Sequence, residues 1–380
     1  MLEKLKWGAV IVVSMVLGGA LVVGINTLDA EDESPASITA VATATPGAQP
    51  DGTPTETPET VAQTINSEVA DLYEQVRPSV VRINARDSAS NSGGVGSGIV
   101  LDAEGHILTN NHVVEEFDQI DVVLADGTAG RAEVVGRDPG NDLAVIKADI
   151  DPSLLVPATL GDSDAIRTGE FVIAVGNPFD LEGSVTEGIV SGIGRSLTGS
   201  GRPLRQLIQS DAAINPGNSG GALFNAAGEV IGITTAIENP SGDRVFVGIG
   251  YAVPSNIATR FLPQMLNGET IEHPRLGVAL QNVTPATAGD LGLTVEQGVL
   301  ITAVEPGTGA DLAGLRGGAD SFGQATGDVI VRIDSQDIRD FDDLADYIDS
   351  REVGETVNVV VVRGAGEVTV PVVLNAWQSG

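Results

Sequence analysis

Three short segments of this 380-residue chain put reactive polar side chains where packing alone would not ask for them. The first is Thr109-Asn110-Asn111-His112-Val113-Val114, a histidine directly after an apolar strand pattern. The second, Asn141-Asp142-Leu143-Ala144-Val145, opens an apolar strand with an acid. The third, Asn215-Pro216-Gly217-Asn218-Ser219-Gly220-Gly221, sets a serine in a glycine-rich turn. Together these residue types can do nucleophilic chemistry. A serine hydroxyl needs a base to take its proton, and the base needs a buried acid to fix its tautomer and stabilise the imidazolium. Glycines beside the serine let backbone N–H groups converge on a developing oxyanion without Cβ clashes. Singly, each segment has an ordinary structural explanation: a histidine packed beside a strand, an Asn-Asp turn, a tight loop.

Elimination sharpens the set. The chain has no cysteine, so it has no thiol nucleophile, no disulfide framework and no Cys-based zinc site. Its histidines are His106, His112 and His273, and no H-E-x-x-H occurs, so neither a metal site nor a cofactor is expected. His106 starts a strand after a turn and is expected to face solvent or pack locally; His273 stands before Pro274 in a connection between domains. The pattern Gly-x-Ser-x-Gly at 217–221 also fits an α/β-hydrolase, but that fold needs its acid and histidine after the serine. Here the order is His112, Asp142, Ser219, that of the chymotrypsin-like barrels.

The elements that must position these residues are mostly strands. Short Val/Ile runs over 80–83, 98–101, 106–109, 120–124, 132–136, 143–147, 171–175, 185–193, 221–224, 230–235 and 245–253 alternate with Gly-rich or Asp-Gly turns. Eleven short strands so spaced predict a barrel or sandwich. Before them, Val69, Leu72, Tyr73 and Val76 recur at helical spacing, with Ser67 as N-cap and Pro78 as terminator. A formal charge of −32 argues against nucleic acid, whose phosphates select clustered Lys and Arg. The acidic excess reads as solvated surface, with adaptation to salt as the alternative.

The N-terminal part has a different character. Residues 7–25 form a 19-residue stretch without a charge. As a helix it would measure about 28 Å, close to the roughly 30 Å hydrocarbon core of a bilayer. Lys4 and Lys6 precede it and Asp29, Glu31, Asp32 and Glu33 follow, so residues 1–6 are expected in the cytoplasm and the rest outside. An uncleaved single-pass anchor is preferred to a signal peptide, whose apolar region is shorter. Residues 26–64, rich in Ala, Thr, Pro and Gly, read as a disordered linker.

The active-site segments, with Gly176-Asn177-Pro178-Phe179 and the run from Asp211 to Gly221, resemble the HtrA/Deg serine proteases. The likeness runs from about 67 to 374. It implies a mainly β fold: a chymotrypsin-like double β-barrel protease domain over 65–268 and a PDZ domain over 272–376. The family's catalytic residues map onto His112, Asp142 and Ser219, and its oxyanion donors onto the N–H groups of Gly217 and Ser219. Pro216 stands where some relatives carry Arg. In the chymotrypsin-like arrangement, Ala213 and Ile214 would form the base of the specificity pocket and Thr235, Ala236 and Ile237 a wall. With no acid there, small aliphatic residues are the expected substrates. Segments 180–183, 196–206 and 238–244 correspond to the family's activation loops.

For the C-terminal module, Arg275-Leu276-Gly277-Val278 resembles the carboxylate-binding loop of PDZ domains, whose N–H groups capture a peptide C-terminus while the next strand pairs with it. Phe341, Leu344, Ala345 and Ile348 share one helical face and would form the opposite wall or support it. Residues 315–327 hold a Gly-rich insertion of unread purpose. The implied function is an ATP-independent endopeptidase for unfolded or damaged envelope proteins, regulated by peptides at the PDZ domain. A signalling protease cutting a membrane-bound regulator and a chaperone with little catalysis are the alternatives. The resemblance also implies a homotrimer assembled through 67–76, with Tyr73 a candidate contact.

Overall fold

The first six strands close on themselves around a shared apolar interior. The structure is a computed structural model and describes residues 68–377, except 91, 178–182, 198–201, 216, 238–245 and 319–326; positions 236 and 237 are described by backbone alone. Helix α1 (68–76) and a 3-10 turn (Arg77–Ser79) lead into β1 (Val80–Arg86). With β2 (Gly93–Val100), β3 (His106–Thr109), β4 (Gln119–Val123), β5 (Ala129–Asp138) and β6 (Leu143–Ala148), β1 forms a closed antiparallel barrel in the order β1-β2-β3-β6-β5-β4. Its interior holds Val81, Ile83, Ile107, Val122 and Ile146.

A second barrel uses β7 (Thr159–Leu160), β8 (Phe171–Gly176), β9 (Ser184–Leu197), β10 (Leu204–Ser210), β11 (Ala222–Asn225), β12 (Glu229–Ile237) and β13 (Gly250–Pro254). The order is β11-β8-β9-β10-β13-β12-β7, and a β11–β12 pairing closes the ring. A core of Ile99, Leu143, Val145, Ile173, Phe224 and Val253 joins the two barrels. Covering it, the ring of Tyr73 packs against this core and its hydroxyl abuts Gly183, so within the chain Tyr73 has a packing role of its own.

Two expectations about elements need correction, and one helix is added to them. The strand expected over 245–253 begins only at Gly250, where pairing with β10 and β12 starts. The segment 196–206 is not one loop: β9 runs to Leu197 and β10 starts at Leu204, because Leu197 and Leu204 pair across the sheet. The helix that follows β13, α3 (Ser255–Leu266, with α2 given below), went unread because Pro263 interrupts its pattern. It packs across β5, β6 and β12, burying Ala258 and Met265.

The connection after α3 is not a free linker either. Arg137 N–H donates to Glu269 O (3.0 Å) and Ile271 N–H to Arg137 O (2.7 Å), which lays the link along β5. It enters the second domain as β14 (Pro274–Arg275), paired with the last strand, β21 (Asn375–Ala376). Between them lies a sheet of β15 (Val278–Val283), β16 (Gly298–Val304), β17 (Val329–Ile333), β19 (Thr356–Arg363) and β20 (Gly366–Val373), with β18 (Gln336–Asp337) off β17. Helices α4 (Pro285–Leu291), α5 (Gly309–Ala313) and α6 (Phe341–Asp349) complete it. The Thr284 capping box starts α4 and the Asp340 carboxylate caps α6. The insertion read over 315–327 is closed at its base, where Gly327 N–H donates to Gly318 O (2.9 Å).

The apolar run 7–25 and the segment 26–64 lie outside the described residues. Among the described residues, no helix is long and apolar enough to cross a membrane.

Candidate active site

The chemistry-bearing residues come from both barrels and meet at the seam. His112 stands in α2 (Asn111–Val114), a single turn after β3. Asp142 follows a 3-10 turn (Pro139–Asn141) between β5 and β6, with φ 55° and ψ 45°. That left-handed conformation is costly for most residues but tolerated by Asp. It is held from several sides, including Asn110 Nδ2 donating to the Asp142 carbonyl at 2.8 Å. The outcome is a carboxylate aimed back at α2. Asp142 Oδ1 accepts from the His112 backbone N–H (3.0 Å), and Oδ2 lies 2.7 Å from His112 Nδ1.

A third donor completes this carboxylate: Thr235 Oγ1 donates to Asp142 Oδ2 at 2.5 Å. Asp142 is 14% exposed and His112 44%, so the acid is shielded while the imidazole stays open to substrate. Thr235 was expected in a pocket wall, but its side chain is turned to the acid, and only its carbonyl faces the serine. Ser219 Oγ donates to that carbonyl at 3.3 Å.

The serine turn is fixed from behind by Ser97, a fully buried residue of β2. Ser97 Oγ donates to Gly217 O (2.7 Å) and accepts from Asn177 N–H (2.8 Å), and Ser97 N–H donates to Ser219 O (2.8 Å). Gly220 makes the close approach possible. Its φ is 82°, and a Cβ there would sit 2.2 Å from Ser97 O and 2.3 Å from Thr109 Oγ1. Among the described residues, neither Gly217 N–H nor Ser219 N–H is taken by a backbone acceptor.

Of the expected pocket residues, Ile214 is 2% exposed and its Cδ1 fills the space beside Gly250. Ala213 offers its carbonyl to Thr186 Oγ1 (2.9 Å). The side chains of Ala236 and Ile237, and most of the segments 180–183 and 238–244, fall outside what is described. His106 pairs locally with Asp102, 2.6 Å away. Burial pushes the Asp102 carboxyl up, but hydrogen bonds from the His106 ring and from backbone amides outweigh it and hold it below the ordinary carboxylate range. His273, expected in the connection between the domains, lies there, buried and paired with Asp138 at 2.6 Å.

In the second domain, a cavity of about 200 Å³ opens between the loop 275–278, β15 and α6. Leu276, Gly277, Val278, Leu344 and Ile348 line it as expected, although Leu344 and Ile348 also belong to the domain core. Arg275 lines the cavity as well, its side chain paired with Glu305 (2.7 and 3.1 Å) and stacked on Trp377 at 5.2 Å. Arg202, Pro203 and Arg205 of the protease domain complete the rim. Arg205, 8% exposed, bonds to Asp342, Asp346 and Asp349 on α6 at 3.1–3.3 Å. The sequence reading missed this contact, whose only signal was an acid spacing of i, i+4, i+7 on one helix face.

Comparison with known proteins agrees with these two units. The trypsin-like peptidase domain family matches residues 96–233 and the PDZ domain family residues 274–374. A probable periplasmic serine endoprotease DegP-like of Brucella suis is 41% identical over 268 residues, covering 70% of this chain and 50% of that protein. The chain thus spans about half the length of such relatives. The periplasmic pH-dependent serine endoprotease DegQ of Escherichia coli is 35% identical over 336 residues, 82% of this chain and 71% of that one. The solved HtrA-type protease AlgW with tripeptide is 36% identical with a TM-score of 0.70, covering 82% of this chain and 98% of that one. On the site geometry, the two-barrel and PDZ architecture and these similarities, the chain belongs to the HtrA/Deg family of serine proteases.

Proposed function

We propose that the chain is an ATP-independent serine endopeptidase that cuts unfolded or damaged extracytoplasmic proteins after small aliphatic residues, under the control of peptides bound by its PDZ domain. The observation that carries this reading is the Asp142 carboxylate, held by three donors and directed at His112 Nδ1. Held so, His112 presents Nε2 as the base. Ser219 Oγ exchanges its long bond to the Thr235 carbonyl for His112, gives up its proton and attacks the scissile carbonyl. Asp142 stabilises the imidazolium that results. The N–H groups of Gly217 and Ser219 receive the oxyanion, and His112 returns the proton to the leaving amine.

The PDZ cavity supports a role for C-terminal peptides: loop amides for the carboxylate, β15 for strand pairing and an apolar wall on α6. The periplasmic location of named relatives supports an extracytoplasmic protease. The charge-free run 7–25 supports a single-pass anchor with the N-terminus inside. A homotrimer formed through α1 belongs to the same reading. Degradation of casein by the full chain, abolished in Ser219→Ala, is the expected result. Equal activity of both proteins would refute the assignment. Substrates trapped by Ser219→Ala would be many unfolded proteins on this reading, and one membrane-bound regulator if the chain is a signalling protease.

A further inference from the structure

The buried pair His273–Asp138 stands apart from the reacting atoms, yet it supports the residue that matters most to them. Asp138 is the last residue of β5 and is fully buried. A carboxylate in that position persists only if its oxygens are met by donors. Three donors meet it. Asn141 N–H reaches Oδ1 at 3.1 Å, Asn141 Nδ2 reaches Oδ2 at 2.8 Å, and His273 Nε2 lies 2.6 Å from Oδ1. Two of these bonds cap the 3-10 turn Pro139–Asn141, the turn that delivers Asp142 in its left-handed conformation.

The histidine ring is itself fixed on its other sides. It lies flush on the turn, because a Cβ at Gly140 would sit 2.2 Å from its Cδ2. Phe261 meets it edge-on with ring centroids 5.3 Å apart. Its carbonyl accepts from Trp377 N–H at 2.9 Å, and Leu276 of the carboxylate loop follows three residues later. The outer face of the turn is held by Arg202, which donates to Gly140 O (2.8 Å) and Asn141 Oδ1 (2.9 Å).

We infer that His273 and Asp138 are positioning residues for Asp142, so that the link between the two domains is part of the support of the catalytic acid. This rests on the reading of Asp142 as the triad carboxylate. Loss of the His273 donor leaves Asp138, which is fully buried, short of a partner. The carboxylate then turns away from the Asn141 amide, the turn loosens, and the left-handed Asp142 is no longer over-determined. Neither residue touches substrate; both act through the orientation of one carboxylate.

The test is steady-state hydrolysis of a peptide anilide by the full chain, in the wild type, His273→Leu, His273→Gln and Gly140→Ala, with thermal unfolding of each. Leu fills the space without a donor, Gln returns an N–H near the place of Nε2, and Ala at 140 displaces the ring. The expected result is a kcat about 10–100-fold lower in His273→Leu and Gly140→Ala with little change in KM, and recovery to within about threefold in His273→Gln. A folded His273→Leu protein with the kcat of the wild type would overturn the inference. So would equal losses in Leu and Gln variants that merely track the fraction unfolded. A folded wild type that hydrolyses nothing would instead count against the protease reading. In that case the downfield proton resonance of the His112–Asp142 hydrogen bond decides: retained in His273→Gln and lost in His273→Leu if the inference holds, unchanged in both if it fails.

Discussion

Replacing Ser97 by alanine removes one oxygen from the inside of the molecule and tests how the serine turn is held. In the native protein that oxygen serves two backbone groups, the Gly217 carbonyl at 2.7 Å and the Asn177 amide at 2.8 Å. Ser97 is fully buried and Asn177 nearly so, which leaves no route for bulk water to substitute. A buried polar group stripped of its partner costs about 1–3 kcal/mol, so the pair amounts to about 2–6 kcal/mol. Against a total stability of about 5–15 kcal/mol, a shift in urea midpoint should be plain. The kinetic effect follows from geometry. Deleting an oxyanion donor costs about 10²–10³ in kcat; the Gly217 amide, the proposed donor, is loosened here rather than deleted, so a loss of about 10–100-fold is expected. KM should change little, because the donor acts on the transition state. The assay pairs urea unfolding with kcat and KM on a peptide anilide. A variant with the native midpoint and with kcat inside about twofold of wild type would show that Ser97 does not pin the turn.

Other consequences concern the acid, the domain contact and pH. Thr235→Val keeps the side-chain shape and removes the 2.5 Å donor to Asp142; a charge-assisted bond of about 1.5 kcal/mol makes the expected loss in kcat/KM about tenfold, read from initial rates. Arg205→Met removes the guanidinium shared by Asp342, Asp346 and Asp349, while Asp349 keeps Arg202 at 2.7 Å and Asp346 keeps Gln206 at 3.2 Å. Part of that effect is lost to solvent screening, since Asp342 and Asp346 are exposed, but calorimetry should show the PDZ domain melting ahead of the barrels. Acid should destabilise the protein in a defined window. Asp343 is held below the ordinary carboxylate range by Arg339. Asp334 is raised by burial but brought lower still by hydrogen bonds from Tyr347 and Asn358, as Asp102 is by His106. A depressed carboxylate stabilises the fold above the unfolded-state pKa and loses that contribution as pH falls through the folded one. Melting temperature should therefore hold down to about pH 5 and drop below about pH 4, and Asp334→Asn should soften the drop.

The sequence singled out His112, Asp142 and Ser219 as the proposed triad because nucleophilic catalysis restricts residue type, and because three histidines left few candidates. Strand positions inside the first barrel were readable for a related reason: β4 alternates, burying Ile120 and Val122, and an Asp126-Gly127 turn follows it. β10 was hidden because Arg202-Pro203-Leu204-Arg205-Gln206 looks like a loop, and its partner in β9 lies across a bulged register that local pattern does not encode. Ser97 went unnoticed, and Thr235 was read as a pocket wall and not as a donor to the acid, for a further reason. A buried hydroxyl earns its role from what folds against it, and both partners are far away in the chain. The same holds for His273, whose neighbours Pro274 and Glu272 suggest a polar link although its ring is sealed against Asp138, Gly140 and Phe261.

The most direct test of the account is labelling of the folded full chain with a fluorophosphonate, followed by peptide mass mapping. The account predicts one adduct, on Ser219, formed by the native protein, absent after heat denaturation and absent in His112→Ala. A folded chain that stays unmodified, or one modified equally well without His112, would contradict it.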